Sequence, residues 1–143
     1  MRMLALSSAA LLVLLTTPAW AQKAAPLEQI KVRIDANEWN RPKLLEKLNR
    51  NGLKNGMKFV SATEGYDYRI DFKTGKTSET VIVKGTGGST DYDTGFATVY
   101  DSQGAEMFQI KHEAFWSEEG AMNGAAKEII KRLKKLRSER KNQ

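Results

Sequence analysis

Cysteine is absent from all 143 residues, and histidine occurs once, at His112. The first absence excludes disulfides, thiolate metal sites and a cysteine nucleophile. It also leaves no acceptor for an amino-terminal lipid, so the mature chain is expected to be free of a lipid tether. The second absence excludes the zinc-protease helix. "HEAFW", residues 112–116, opens like that motif but has no second histidine four residues on to share the metal. By strand parity His112 shares a face with Phe108 and Ile110, which makes it a residue closing a strand rather than a reactive group.

Other catalytic signatures are missing as well. No G-x-S-x-G elbow or serine–histidine pairing is present. The glycines of "KGTGGST", Lys84 to Thr90, lack P-loop spacing, and no helix follows to aim its amides at a phosphate. They read as a glycine-rich loop, Gly85 to Asp93, between two strands. "DYDTG", Asp91 to Gly95, spaces two carboxylates as calcium loops do, but the glycine comes one position early and position twelve is Ser102. It reads as a surface turn. No metal site and no cofactor is expected. Paired carboxylates assembled by the fold are invisible to spacing arguments, so a small hydrolase built on them stays open as an alternative.

Long apolar runs are also lacking. The one candidate, Leu4 to Thr17, falls short of the roughly 20 residues a bilayer span needs. Arg2 precedes it, Pro18 breaks it, and Ala19-Trp20-Ala21 offers small residues where a signal peptidase reads. Residues 1–21 are therefore expected to be a secretory signal cleaved near Ala21. The mature chain would be exported, periplasmic or secreted, with no transmembrane segment. Residues 22–137 read as a single domain and 138–143 as a basic flexible tail.

What the chain does have is charge, unevenly placed. The formal net charge is +6. From residue 127 onward stand eight bases, Lys127, Lys131, Arg132, Lys134, Lys135, Arg137, Arg140 and Lys141, against Glu128 and Glu139 alone. The rest of the mature chain is close to neutral. Bases late in a helix complement its dipole, and a solvated outer face accounts for them equally well. Read functionally, Lys131, Arg132, Lys134, Lys135, Arg137, Arg140 and Lys141 would contact an anionic partner, whether lipid head groups, lipopolysaccharide phosphates or an acidic protein. No aromatic alternates with the bases to stack on nucleotides, and export argues against nucleic acid.

Periodicity supplies the elements. Ile30, Val32 and Ile34 alternate with Lys31, Arg33 and Asp35 as a half-buried strand. A helix should follow with Asn40 as cap, Pro42 in its first turn, Leu44, Leu45 and Leu48 on one face, and Gly52 as stop. A short strand is predicted at Met57 to Ser61. Tyr66, Tyr68, Ile70 and Phe72 alternate with Asp67, Arg69, Asp71 and Lys73, then a turn through Gly75 leads to a separate strand around Val81 to Val83. Strands at Gly95 to Asp101 and Glu106 to Ala114 flank the turn Ser102-Gln103-Gly104. A long helix starts at Ser117, with Met122, Ala125, Ala126, Ile129, Ile130, Leu133 and Leu136 as its stripe. The fold class is α+β, a two-layer sandwich with a mainly antiparallel sheet of about five to six strands packed by two helices.

Four segments carry a resemblance. They are "LLEKLNRNGLKNGMKF" (Leu44 to Phe59), "YDYRIDF" (Tyr66 to Phe72), "VYDSQGAEMF" (Val99 to Phe108) and "GAAKEIIKRL" (Gly124 to Leu133). In order and type they resemble the periplasmic α/β domain of the curli-secretion channel family and the amino-terminal domain of the Tol-system periplasmic protein. The chain departs from the channel family in having no lipid-acceptor cysteine and no evident pair of long inserted strands. What the resemblance implies is an envelope accessory or binding domain without chemistry of its own. Its partner would be an envelope protein or an anionic polymer or lipid surface.

Overall fold

The computed structural model describes residues 26–83, 85–115 and 117–142, excluding the side chains at 81–83, 86 and 141. The expected leader, residues 1–21, lies outside the described residues. Among those described, the chain runs β1 (Glu28–Asp35), α1 (Asn40–Gly52), β2 (Met57–Ser61), β3 (Tyr68–Val83), β4 (Thr86–Asp101), β5 (Glu106–Ala114) and α2 (Glu118–Lys141). The sheet order is β2-β1-β3-β4-β5. It is an α+β fold with both helices on one face.

The sheet is mixed, and the connections explain why. α1 carries the chain from β1 to β2, and such a crossover produces a parallel pair. β3 also pairs parallel to β1, over Val32↔Tyr68 to Asp35↔Asp71. The β3–β4 and β4–β5 ladders are antiparallel and far longer. In the β4–β5 turn, Asp101 Oδ1 accepts from the Gln103 and Ala105 amides at 2.8 and 2.9 Å, while Gly104 takes φ 83°. Only glycine adopts that dihedral without steric cost.

The alternation read from the sequence places the core. Ile30, Val32, Ile34, Phe59, Ile70, Phe72, Val99 and Ile110 are buried on the sheet, against Leu44 and Leu48 of α1 and Met122, Ile129, Ile130 and Leu133 of α2. The intervening residues present charge on the other face. There Arg33 pairs with Asp35 at 3.0 Å, and Arg69 lies 3.4 Å from Asp71 and 4.2 Å from the Tyr100 ring centre.

Four local expectations change. Asn40 is the first helical residue rather than the cap, and Asn37 Oδ1 accepts its amide at 2.7 Å. Gly52 keeps helical dihedrals, and the chain continues as a 3-10 turn, Leu53–Asn55, ended by Gly56 at φ 68°. The third change is the largest. The predicted glycine-rich loop is strand, so β3 and β4 are each 16 residues and pair without interruption from Tyr68↔Asp101 to Val83↔Thr86. Glycine disfavours a strand only weakly, and here Gly87 and Gly88 lie opposite Ile82 and Val81, strong strand formers that fix the register. A pair of long strands, absent from the sequence reading, is thus the main feature of the sheet. At the other end, residues 138–141, read as tail, continue α2.

Candidate binding surfaces

α2 positions every predicted contact residue. Ser117 caps it, its Oγ accepting the Gly120 amide at 2.9 Å, and Glu118 and Glu119 occupy the first turn. Both acids also tie the helix down. Glu118 accepts from Thr74 Oγ1 at 2.6 Å, and Thr74 in turn accepts from Asn40 Nδ2 at 3.2 Å, joining β3 to the starts of both helices. Glu119 pairs with Lys47, whose side chain is only 5% exposed. That ammonium holds the Glu119 carboxyl below the usual carboxylate range, first by its hydrogen bond and then by its charge.

From residue 129 onward, the apolar stripe divides the bases into two flanks rather than one patch. Lys131, Arg132 and Lys135, with the acids Glu128 and Glu139 between them, line an open groove of about 600 Å³ against β5, together with Met107, Phe108 and Leu136. The Arg132 guanidinium sits 5.6 Å from the Phe108 ring centre. Glu128 pairs with Lys131 and Arg132, and Glu139 with Lys135. Lys134, Arg137 and Arg140 face the opposite way, lining a second groove with Glu28, Asn55 and Met57. There Arg137 is bidentate to Glu28, with Nη2 to Oε1 at 2.9 Å. Lys141 closes α2, and its side chain lies outside the described residues. The candidate bases with described side chains are thus divided between two grooves. Three bases share the β5 groove, and Arg137 is committed to holding the helix end on β1.

β5 is an edge strand, paired on one side by β4 and, among the described residues, by no strand on the other. Its unpaired backbone groups run beside the basic groove. Sequence periodicity placed Phe108 correctly but gave no sign that Met107 and Phe108 floor a groove. Helix spacing of 131, 132, 135 and 136 was the signal that could have grouped those four.

The remaining candidates make contacts within the fold. His112 packs on α2: a Cβ built at Gly124 would lie 1.9 Å from its Cδ2 and Nε2. Asp91 and Asp93 lie within β4, and Asp91 accepts from Ser78 Oγ at 2.5 Å. Among the described residues no group of three histidine or carboxylate side chains is placed to hold a metal ion. The fold does bring Asp35 beside Asp71, but both are engaged by arginines in the ion-pair row. No helix among the described residues is long and apolar enough to cross a membrane.

No protein-family model matches the sequence, and no curated protein matches it. Among solved structures the chain is similar to a minor lipoprotein of Acinetobacter baumannii, with TM-score 0.47 and 11% identity over 78% of this chain and 95% of that one. It is also similar to lipoprotein B of Nitrosomonas europaea, with TM-score 0.47 and 12% identity over 79% of this chain and 86% of that one.

Proposed function

We propose that the protein is an exported, non-enzymatic binding domain that engages another component of the cell envelope along β5. The observation that carries this reading is the juxtaposition of a strand edge with no partner among the described residues and a groove of apolar floor whose three bases outnumber its two acids. Strand addition supplies affinity through backbone hydrogen bonds, and flanking side chains supply selectivity. Lys131, Arg132 and Lys135 favour a partner segment bearing carboxylates. The leader-like residues 1–21 and the resemblance to envelope domains are what support a periplasmic or secreted location in this reading. The chemistry needs no cofactor.

An anionic lipid or polymer is the second reading, favoured by the 79% and 77% exposure of the Lys131 and Lys135 side chains on one flank. One experiment separates the two. The mature chain and a Lys131→Glu, Lys135→Glu variant are used to capture partners from envelope extract at two salt concentrations, alongside flotation with anionic vesicles. A protein captured by the wild type and lost by the variant, without vesicle binding, supports the first reading. Salt-sensitive vesicle binding supports the second. Capture unaffected by the variant refutes the groove as the site.

A further inference from the structure

β3 and β4 outrun their neighbours. β1 accompanies β3 only as far as Asp71, and β5 accompanies β4 only as far as Asp93. Beyond these points, Thr77 to Val83 and Thr86 to Tyr92 pair with each other alone, a two-stranded ribbon projecting roughly 23 Å at strand rise. Among the described residues no strand lies beside either of its edges. A lone two-stranded ribbon is marginally stable in water, and three or more strands are needed for independent stability.

The two edges are not equivalent. Proteins blunt exposed edges with charge, proline or bulges. Over the outer part of the ribbon β3 carries Glu79 in Glu79 to Val83, whereas the facing β4 stretch, Thr86 to Thr90, reads TGGST, with no charge, no proline and no break in register; Asp91, nearer the base, is the one charge on the β4 side. Strand glycines also mark places where another backbone approaches closely. Gly87 has nothing within 4 Å of where its Cβ would stand, and Gly88 and Ser89 are exposed.

We propose that this β4 edge pairs antiparallel with the same edge of a second copy of the chain, about a two-fold axis at Gly88. The sequence is self-complementary in that register. Gly87 falls opposite Ser89 and Thr86 opposite Thr90, and Asp91 lies past the last paired position, so no like charges face each other. The product is a four-stranded antiparallel sheet, β3-β4 followed by its symmetry mate, which brings the ribbon above the strand number at which it is stable. The contact is small, well below the roughly 1,200 Å² of standard interfaces, so the dimer is weak and concentration-dependent.

The cysteine-free chain makes the test clean. Single variants Gly88→Cys, Thr90→Cys and Ser78→Cys are oxidised at high concentration, and covalent dimer is followed on non-reducing gels. Residues opposite each other in an antiparallel ladder have Cα atoms about 4.5–5.5 Å apart, within disulfide reach. Position 90 and its own counterpart would stand about 13 Å apart, out of reach. The expected result is dimer formation at Gly88→Cys at least about tenfold faster than at the other two positions. Adding Ser89→Lys, which charges the edge without touching the core, should remove that advantage. Equal rates at all three positions, a maximum away from Gly88, or no effect of Ser89→Lys would overturn the proposal. It stands apart from the β5 groove, so a failed capture experiment leaves it untouched.

Discussion

Replacing Gly124 with alanine should destabilise the fold, although alanine is the better helix former. In an exposed helix interior the exchange gains about 1 kcal/mol. At Gly124 the new Cβ would stand 1.9 Å from His112 Cδ2 and Nε2 and 2.5 Å from Cε1. Carbon contacts are comfortable at about 3.5–4.0 Å, so the ring must recede by roughly 1.5 Å or the helix must lift. The helix does not lift readily. His112 pairs with Gly95 in the sheet, and a Cβ at Gly95 would already be 3.1 Å from the Ala121 carbonyl oxygen one turn earlier on α2. Helix and sheet meet here through two glycines, one from each layer. Overpacking of this kind costs about 1–3 kcal/mol, enough to cancel or exceed the propensity gain. Urea unfolding of wild type, Gly124→Ala, His112→Ala and the double variant isolates the contact. In the His112→Ala background Gly124→Ala should stabilise by about 1 kcal/mol, giving a coupling energy of about 1–3 kcal/mol. If Gly124→Ala stabilises both backgrounds equally, the close approach is not there and the argument fails.

Other consequences concern the polar ties between layers. Glu119 is held below its ordinary carboxylate value in the folded chain by Lys47, so the pair contributes stability above the unfolded-state value and loses it as pH falls through the folded one. Glu119→Gln should flatten the acid limb of a thermal-stability-versus-pH curve, and an unchanged limb would count against the pair. Thr74→Val removes both the acceptor of Asn40 Nδ2 and the donor to Glu118, and since Asn40 is buried the loss should be about 1–3 kcal/mol by denaturant titration. Glu28→Ala frees Arg137 in a partly exposed pair, costing less than about 1 kcal/mol. Its effect should appear as faster amide exchange in the last turns of α2, with the centre of the helix unchanged.

Strands with strict alternation were legible because burial on one face imposes period two. Ile30 to Ile34 and Tyr68 to Phe72 are buried where the pattern placed them. The cap at Ser117 and the stripe of α2 were legible for the same local reason. Thr86 to Tyr92 was not, because its conformation is set by Val81 to Val83 across the ladder, and glycine-rich composition carries no record of a strand partner. The parallel placement of β1 between β2 and β3 depends on a crossover that hydrophobic pattern cannot orient. Gly124 was equally opaque: a glycine inside a helix announces a close contact but not its occupant, and only the fold supplies His112.

The basic helix shows how composition misleads when read without geometry. Eight bases in a short segment look like one surface, yet a helix turns 100° per residue and distributes them around its apolar stripe. Arg137 holds the helix end on β1, Glu128 and Glu139 offset three more bases, and the groove beside β5 retains a modest positive excess rather than a polycation's field. That excess suits selection among protein segments better than capture by a charged surface, where affinity grows with the number of simultaneous contacts. The ribbon leaves the sheet beside the start of α2, while the β5 groove lies along its second half, and the helix spans about 36 Å. The groove begins at Glu128, about 15 Å along α2 from its start, roughly two Debye lengths at physiological salt, so charges near the base of the ribbon and in the groove are largely screened from each other. The proposed self-pairing and the proposed β5 contact therefore fall on different parts of the domain, which is why the cysteine and capture experiments test them separately.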